Sequence, residues 1–227
     1  MKKAIISIIV VLVAVSCGRN IPPEMDRSDF VNISEVVPDA LLEIRYFSTY
    51  NFVGDRIDGY SAPVALMTKE GAAALKKASD AVMAEGYRLK IFDAYRPQTA
   101  VSHFIRWAED VEDVRMKPYF YPDVDKSLLF ELDFICAQSS HSRGSTVDLT
   151  LFDMETGREV DMGGTFDWFG KESYPDFSGI SDEQEALRKI LRDAMLDAGF
   201  KPFDTEWWHF TLADEPFPDT YFDFPVE

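Results

Sequence analysis

The sequence predicts a single α+β domain built on a small, largely antiparallel sheet flanked by helices. Three observations carry that expectation. Two long segments repeat apolar residues at helical spacing, and at least three shorter ones are strand-like, one of them strictly alternating. The two kinds follow one another without a regular strand–helix–strand rhythm, which argues against a doubly wound parallel sheet.

In chain order, MKKAIISIIVVLVAVSC comes first: two lysines, then an apolar run ending at Ser16 and Cys17. The run is shorter than the about 20 residues a bilayer-spanning helix needs, so it reads as a secretory signal. Small residues directly before a cysteine resemble a bacterial lipoprotein signal, with cleavage after residue 16 and a lipid on Cys17. An ordinary signal peptide cut nearby and an uncleaved anchor are the alternatives. GRNIPPEMDRSDF, residues 18–30, is polar with paired prolines and no periodicity. Residues 1–16 are therefore expected to be a signal peptide, 17–30 a tether and 31–227 the folded domain. The expected location is outside the cytoplasm, in the periplasm or cell envelope, with membrane contact only through lipidated Cys17.

A helix is expected from about Thr68 to Glu85, capped by Thr68, ended by Gly86 and striped by Ala72, Leu75, Ala78 and Val82. YRLKIFDAY follows as a strand with Leu89 and Ile91 on one face. Arg96-Pro97 ends it and opens the helix QTAVSHFIRWAED, where proline suits a first helical position. Residues 110–135 mix acids with Tyr/Pro turns and read as a surface excursion. In STVDLTLF, Val147, Leu149 and Leu151 face one way and Thr146, Asp148 and Thr150 the other. Ser181 to Ala198 is an amphipathic helix closed by Gly199. EWWHFTLADEP supplies a last strand, and the tail YFDFPVE is expected to pack back through its aromatics.

Composition removes some functions. The formal charge of −17 repels phosphate backbones, and no basic run offsets it, which excludes nucleic acid. No protein partner is implied. With Cys17 processed, Cys136 is the sole thiol, so no intramolecular disulfide forms; it reads as a small core residue.

The chain has three histidines, so their settings are informative. A catalytic zinc takes about three protein ligands and keeps a corner open. His103 sits mid-helix and reads as a packed residue. His141 and His209 remain, and a carboxylate must complete the set. Asp148 lies beyond Gly144, which lets a loop histidine and a strand aspartate converge; on spacing alone, a solvent-face aspartate is an equal alternative. In EWWHF, Glu206 precedes His209 by three residues. A proton acceptor there would serve hydrolysis, but the odd parity requires a turn or bulge for both to face one point. Arg96, at a strand-to-helix corner, is placed to stabilise an oxyanion or simply to pair with Asp93. Asp167, among the glycines and aromatics of DMGGTFDWFG, is a candidate ammonium site or a turn residue.

Together these residues resemble the D-alanyl-D-alanine dipeptidases, the VanX-type zinc peptidases. The family pattern SxHxxGxAxD is matched by Ser139, His141, Gly144 and Asp148, with Thr146 where alanine is usual; ExxWH is matched by Glu206, Trp208 and His209. DAYRPQTAV, DMGGTFDWF, the NF..G...DGY pattern of residues 51–60 and the closing YFDFPVE are also similar, so the likeness spans roughly residues 30–227. It implies the fold of the zinc D-Ala-D-Ala peptidase and hedgehog-like group. It also implies one Zn2+ per chain on His141, Asp148 and His209. Glu206 would be the general base and then acid, Arg96 the transition-state stabiliser, and Tyr46, Ser139 and Asp167 the substrate contacts. The implied activity is hydrolysis of D-alanyl-D-alanine in peptidoglycan metabolism, in a pocket too small for longer peptides. Thr146 is expected to tolerate the metal while narrowing the pocket or bonding a ligand carboxylate. Two other readings stay open: a D,D- or L,D-carboxypeptidase trimming stem peptides, and a noncatalytic zinc-binding lipoprotein that binds wall fragments. Glu206 and Arg96 weigh against the last.

Overall fold

The computed structural model describes residues 26–227; the signal segment, Cys17 and the tether up to residue 25 lie outside the described residues. The elements in chain order are β1 (Phe30–Asn32), α1 (Ile33–Val36), β2 (Leu41–Leu42), β3 (Leu66–Thr68), α2 (Lys69–Ala84), β4 (Tyr87–Asp93), α3 (Gln98–Glu109), α4 (Lys117–Phe120), β5 (Thr146–Asp153), β6 (Arg158–Glu159), α5 (Asp182–Asp197), β7 (Phe200–Phe203) and β8 (Glu206–Leu212). The main sheet runs β2-β4-β5-β8-β7, with β6 also on β5, and β1 pairs with β3 separately. Among the described strands of this sheet, β2 against β4 is the one parallel pair. The fold is thus the α+β arrangement expected, largely antiparallel.

β5 sits between β4 and β8, and layers packed on either side of the sheet bury both of its faces. Val147, Leu149 and Leu151 share a face with their cross-strand partners Phe210, Ile91 and Leu89. α2 and α5 pack on each other and on this sheet. Thr68 caps α2 by accepting the Gly71 N–H, and Ser181 with Gln184 forms a reciprocal capping box on α5, so both helix starts are set locally. The opposite face carries Thr146, Asp148 and Thr150. It is covered by an aromatic layer in which Tyr46 packs on Phe104 and Phe166, and Phe166 stacks on Phe92.

Two departures from regular pairing aim side chains at that second face. The β4–β5 register slips between Ile91 and Asp93, so Asp93 stands opposite Asp148 instead of continuing the Leu89/Ile91 side. The β7–β8 register slips between Pro202 and Phe203, and Phe203 pairs with Glu206. That is the bulge the spacing of Glu206 and His209 requires.

The C-terminal tail closes the fold. Tyr95 donates to the Phe224 carbonyl and accepts from its N–H, both at 2.9 Å, while the two rings stack. Phe30, expected at the end of the tether, is instead the first residue of β1 and lies edge-on to Tyr95, Phe222 and Phe224. Three other expectations need correction. Residues 110–135 are not merely a surface excursion: Phe120, Tyr121, Leu129 and Ile135 are buried. Pro97 is the N-cap of α3, not its first helical residue. Cys136 is exposed, because the chain around it forms a rim and not a core layer.

Candidate active site

The segment between α4 and β5 delivers the first ligand candidate. Residues Ser140–Arg143 form a 3-10 turn whose N-cap, Ser139, accepts the His141 N–H with its hydroxyl. The turn ends at Gly144 with φ +84°, a conformation that costs a side chain dearly, and an added Cβ would stand 2.3 Å from the Phe30 ring. β5 then carries Asp148 and β8 carries His209 directly opposite it.

His141 Nε2 lies 3.2 Å from Asp148 Oδ2, His209 Nδ1 lies 3.1 Å from Asp148 Oδ1, and the two ring nitrogens are 3.3 Å apart. Ligands about 2.0–2.1 Å from a tetrahedral centre stand about 3.3 Å from one another, so each of these three contacts, the two to Asp148 made through different oxygens, is close to such an edge length. Asp148 Oδ1 is buried without a hydrogen bond of acceptable geometry, a cost that a cation would remove. Two imidazoles and a carboxylate also suit zinc, so the donor set fits. The described residues contain this cluster as a group able to hold a metal ion.

The charges around it are strongly coupled. Burial would raise the Asp148 carboxyl, but the His141 and His209 imidazoles hold it well below the usual carboxylate range. Burial would lower His209, yet Asp148 and Glu206 push it up to about 9. Glu206 Oε2 lies 3.3 Å from His209 Nδ1, and its side chain remains 36% exposed, so it is the member of the group that solvent or a ligand can reach. Arg96 makes the ion pair its position allowed, Nε to Asp93 at 2.9 Å, and a terminal nitrogen also comes 3.5 Å from Asp148. Asp93 is buried and also accepts from Tyr60 at 2.6 Å, which pins Arg96 from behind.

Asp167 lies across the cavity in the left-handed region at φ +59°, buried, with the Tyr46 hydroxyl 3.2 and 3.1 Å from its two oxygens. Burial, with Asp148 nearby, pushes its carboxyl well above the ordinary value. A buried acid lacking a full counter-charge is a receptor for a cation. The Arg96 guanidinium lies over the Tyr46 ring, 4.8 Å from its centroid, joining the two halves of the site. Apart from Asp93 and Tyr60, which lie behind Arg96, these groups and Ser139 line one cavity of about 440 Å3.

The structure therefore brings together Tyr46, Arg96, Ser139, His141, Asp148, Asp167, Glu206 and His209. His103 stays apart, accepting the Asp58 N–H. Three contributors were not legible beforehand. Asp93 was visible only as an ion-pair partner. The Ala94 carbonyl receives His141 Nδ1–H at 2.6 Å. The rim of residues 132–136 and Phe203 came from segments without a motif.

The sequence profile of the D-ala-D-ala dipeptidase family matches residues 26–227. The chain belongs to this family. A D-alanyl-D-alanine dipeptidase of Enterococcus faecalis is 40% identical over 200 residues, covering 88% of this chain and 99% of its own length. One of Streptomyces coelicolor is 40% identical over 198 residues, covering 87% and 98%. That of Escherichia coli is 31% identical over 187 residues, covering 82% and 86%. Within this dipeptidase family frame, the substitution at Thr146 acquires a structural explanation different from the one expected. Its hydroxyl lies 2.9 Å from that of Thr211, the cross-strand partner, and it neither lines the cavity nor bonds a ligand carboxylate.

Proposed function

We propose that this protein hydrolyses D-alanyl-D-alanine to two D-alanines in peptidoglycan metabolism, using one zinc ion held by His141, Asp148 and His209. When bound, zinc would supply Lewis acidity to the scissile carbonyl and make water a better nucleophile near neutral pH. The chain's own groups do the rest. Glu206 accepts the proton of the attacking water and returns it to the leaving amine. Arg96, held by Asp93, faces the negative charge that develops on the carbonyl oxygen. Asp167 and Tyr46 receive the free ammonium of the dipeptide, whose charge supplies what the buried carboxyl lacks, and Ser139 contacts the substrate from the turn. The observation that carries the proposal is Glu206, an accessible carboxylate 3.3 Å from a ligand nitrogen; a site that only stored metal would need no such neighbour.

The test is Glu206→Ala. The variant should keep its zinc and lose dipeptide hydrolysis by about 10²–10⁴-fold. Full activity with zinc retained would remove Glu206 as the base. Release of a terminal D-alanine from intact muropeptides, seen by mass spectrometry, would replace the dipeptidase reading with the carboxypeptidase one.

We propose further that the domain works outside the cytoplasm, anchored through a lipid on Cys17. The support is the segment MKKAIISIIVVLVAVSC alone. Such a location fits recovery of D-alanine from trimmed wall peptides. Radiolabelled palmitate should enter the wild-type chain and not Cys17→Ser; equal labelling of both would overturn the anchor.

A further inference from the structure

The pattern SxHxxGxAxD leaves the position between Ser139 and His141 open, and Ser140 has no part in the chemistry above. Its hydroxyl nevertheless lies 3.2 Å from His209 Nε2, the ring nitrogen that points away from the cluster. We propose that Ser140 is a positioning residue for His209: its Oγ accepts the Nε2–H and so holds the ring in the tautomer and rotation that offer Nδ1 to the metal. The inference rests on the zinc reading of this site.

An imidazole binds a metal through the nitrogen that carries no proton, and the partner of the other nitrogen decides which one that is. For His141 the decision is rigid. Nδ1 meets the Ala94 carbonyl at 2.6 Å, which can only accept, so Nδ1 is the donor and Nε2 turns to Asp148. His209 faces the cluster with its other nitrogen. Nδ1 is the atom near Asp148 Oδ1, Glu206 Oε2 and His141 Nε2, all at 3.1–3.3 Å. Ligation through Nδ1 therefore requires the proton on Nε2, and the hydrogen-bond partner there is Ser140 Oγ. A hydroxyl can accept or donate, so it leaves the tautomer less rigidly set than a carbonyl would, but it defines where the ring must point.

Ser140 can do this because its own position is held. It opens the 3-10 turn that Ser139 caps and Gly144 ends. On the ring itself, Phe203 packs with its centroid 5.0 Å from that of His209. The residue next to one ligand thereby steers the other, and the tripeptide Ser139-Ser140-His141 sets a cap, a ring orientation and a ligand at once.

The experiment uses purified protein, with Ser140→Ala and Ser140→Thr. Zinc affinity is read by equilibrium competition with a chromophoric chelator. The His209 ring is followed in the zinc-loaded protein by 1H–15N NMR of imidazole nitrogens. Removing an outer partner of a ligating histidine costs about 10–100-fold in metal affinity, so Ser140→Ala should bind zinc that much more weakly. Its metal-free melting temperature should fall by only about 2–4 °C, the cost of one lost hydrogen bond, and its His209 Nε2–H signal should be lost to exchange. Ser140→Thr should restore both affinity and signal. An alanine variant within twofold of wild-type affinity overturns the inference while leaving the zinc reading intact, as does a loss that threonine fails to restore. Wild-type protein that binds no zinc at all overturns both.

Discussion

Stripping the metal should leave a domain whose stability falls as pH rises from neutral, and His209 is the reason. Burial favours its neutral form, but Asp148 at 3.1 Å and Glu206 at 3.3 Å keep a proton on the ring and push its pKa up to about 9. In the unfolded chain the value is about 6.5. A group whose folded pKa lies above its unfolded one contributes stability that is complete below the unfolded value and lost as pH rises through the folded value. Here the window is pH 6.5 to 9. At 1.36 kcal/mol per pH unit, the gap between the two values is worth roughly 3 kcal/mol. At about 2–4 °C per kcal/mol for a domain of this size, the chelator-treated protein should lose roughly 6–12 °C of melting temperature across that window. Metal binding has the opposite sign. The same proton competes with the ion, so zinc affinity should rise about tenfold per pH unit up to 9, with about one proton released per ion. Scanning calorimetry of metal-free protein at pH 6.5, 7.5 and 9 reads the first effect. Titration calorimetry in two buffers of different ionisation heat counts the proton. A melting temperature that stays flat or climbs, or zinc uptake at pH 7 with no proton release, would refute this account of His209.

Other outcomes follow from single contacts. Arg96→Lys replaces a fork that holds Asp93 while reaching toward Asp148 with a single point charge. It should cut kcat by about 10²–10³-fold with zinc content unchanged, and steady-state kinetics beside metal analysis will show it. Gly144→Ala puts a Cβ 2.3 Å from Phe30 at φ +84°. The backbone strain alone is about 1–3 kcal/mol, so the melting temperature should fall and zinc affinity with it, since His141 lies on that turn. Thr146→Ala should cost about 1 kcal/mol through its lost partner Thr211, seen by denaturant unfolding. It should leave the relative rates on D-Ala-D-Ala, D-Ala-D-Ser and D-Ala-Gly unchanged; altered ranking would mean the residue reaches the substrate after all.

The regular elements were readable because their signals are local. Thr68 and Ser181 cap helices within their own turns, and the alternation of Val147, Leu149 and Leu151 shows a strand whatever it packs against. Residues 110–135 misled for the converse reason. Acids and prolines make that stretch look solvent-facing, but the buried side chains Phe120, Tyr121 and Leu129 are interleaved with them at no regular period. Asp93 offered only an ion pair with Arg96, because its path to Asp148 depends on a register slip that no residue type announces.

By itself, the amino-acid order determined which groups could do chemistry here: with three histidines, a glycine that permits a turn and a carboxylate three residues before a histidine, few ligand sets were possible. Tertiary structure alone decided that the sets meet. Pairing β5 with β8 puts Asp148 opposite His209, and the two register slips turn Asp93 and Glu206 to the same side. Residue identity specifies what a side chain can bond, whereas the nitrogen it presents, the proton it carries and the neighbour it meets depend on strands brought together from distant parts of the chain.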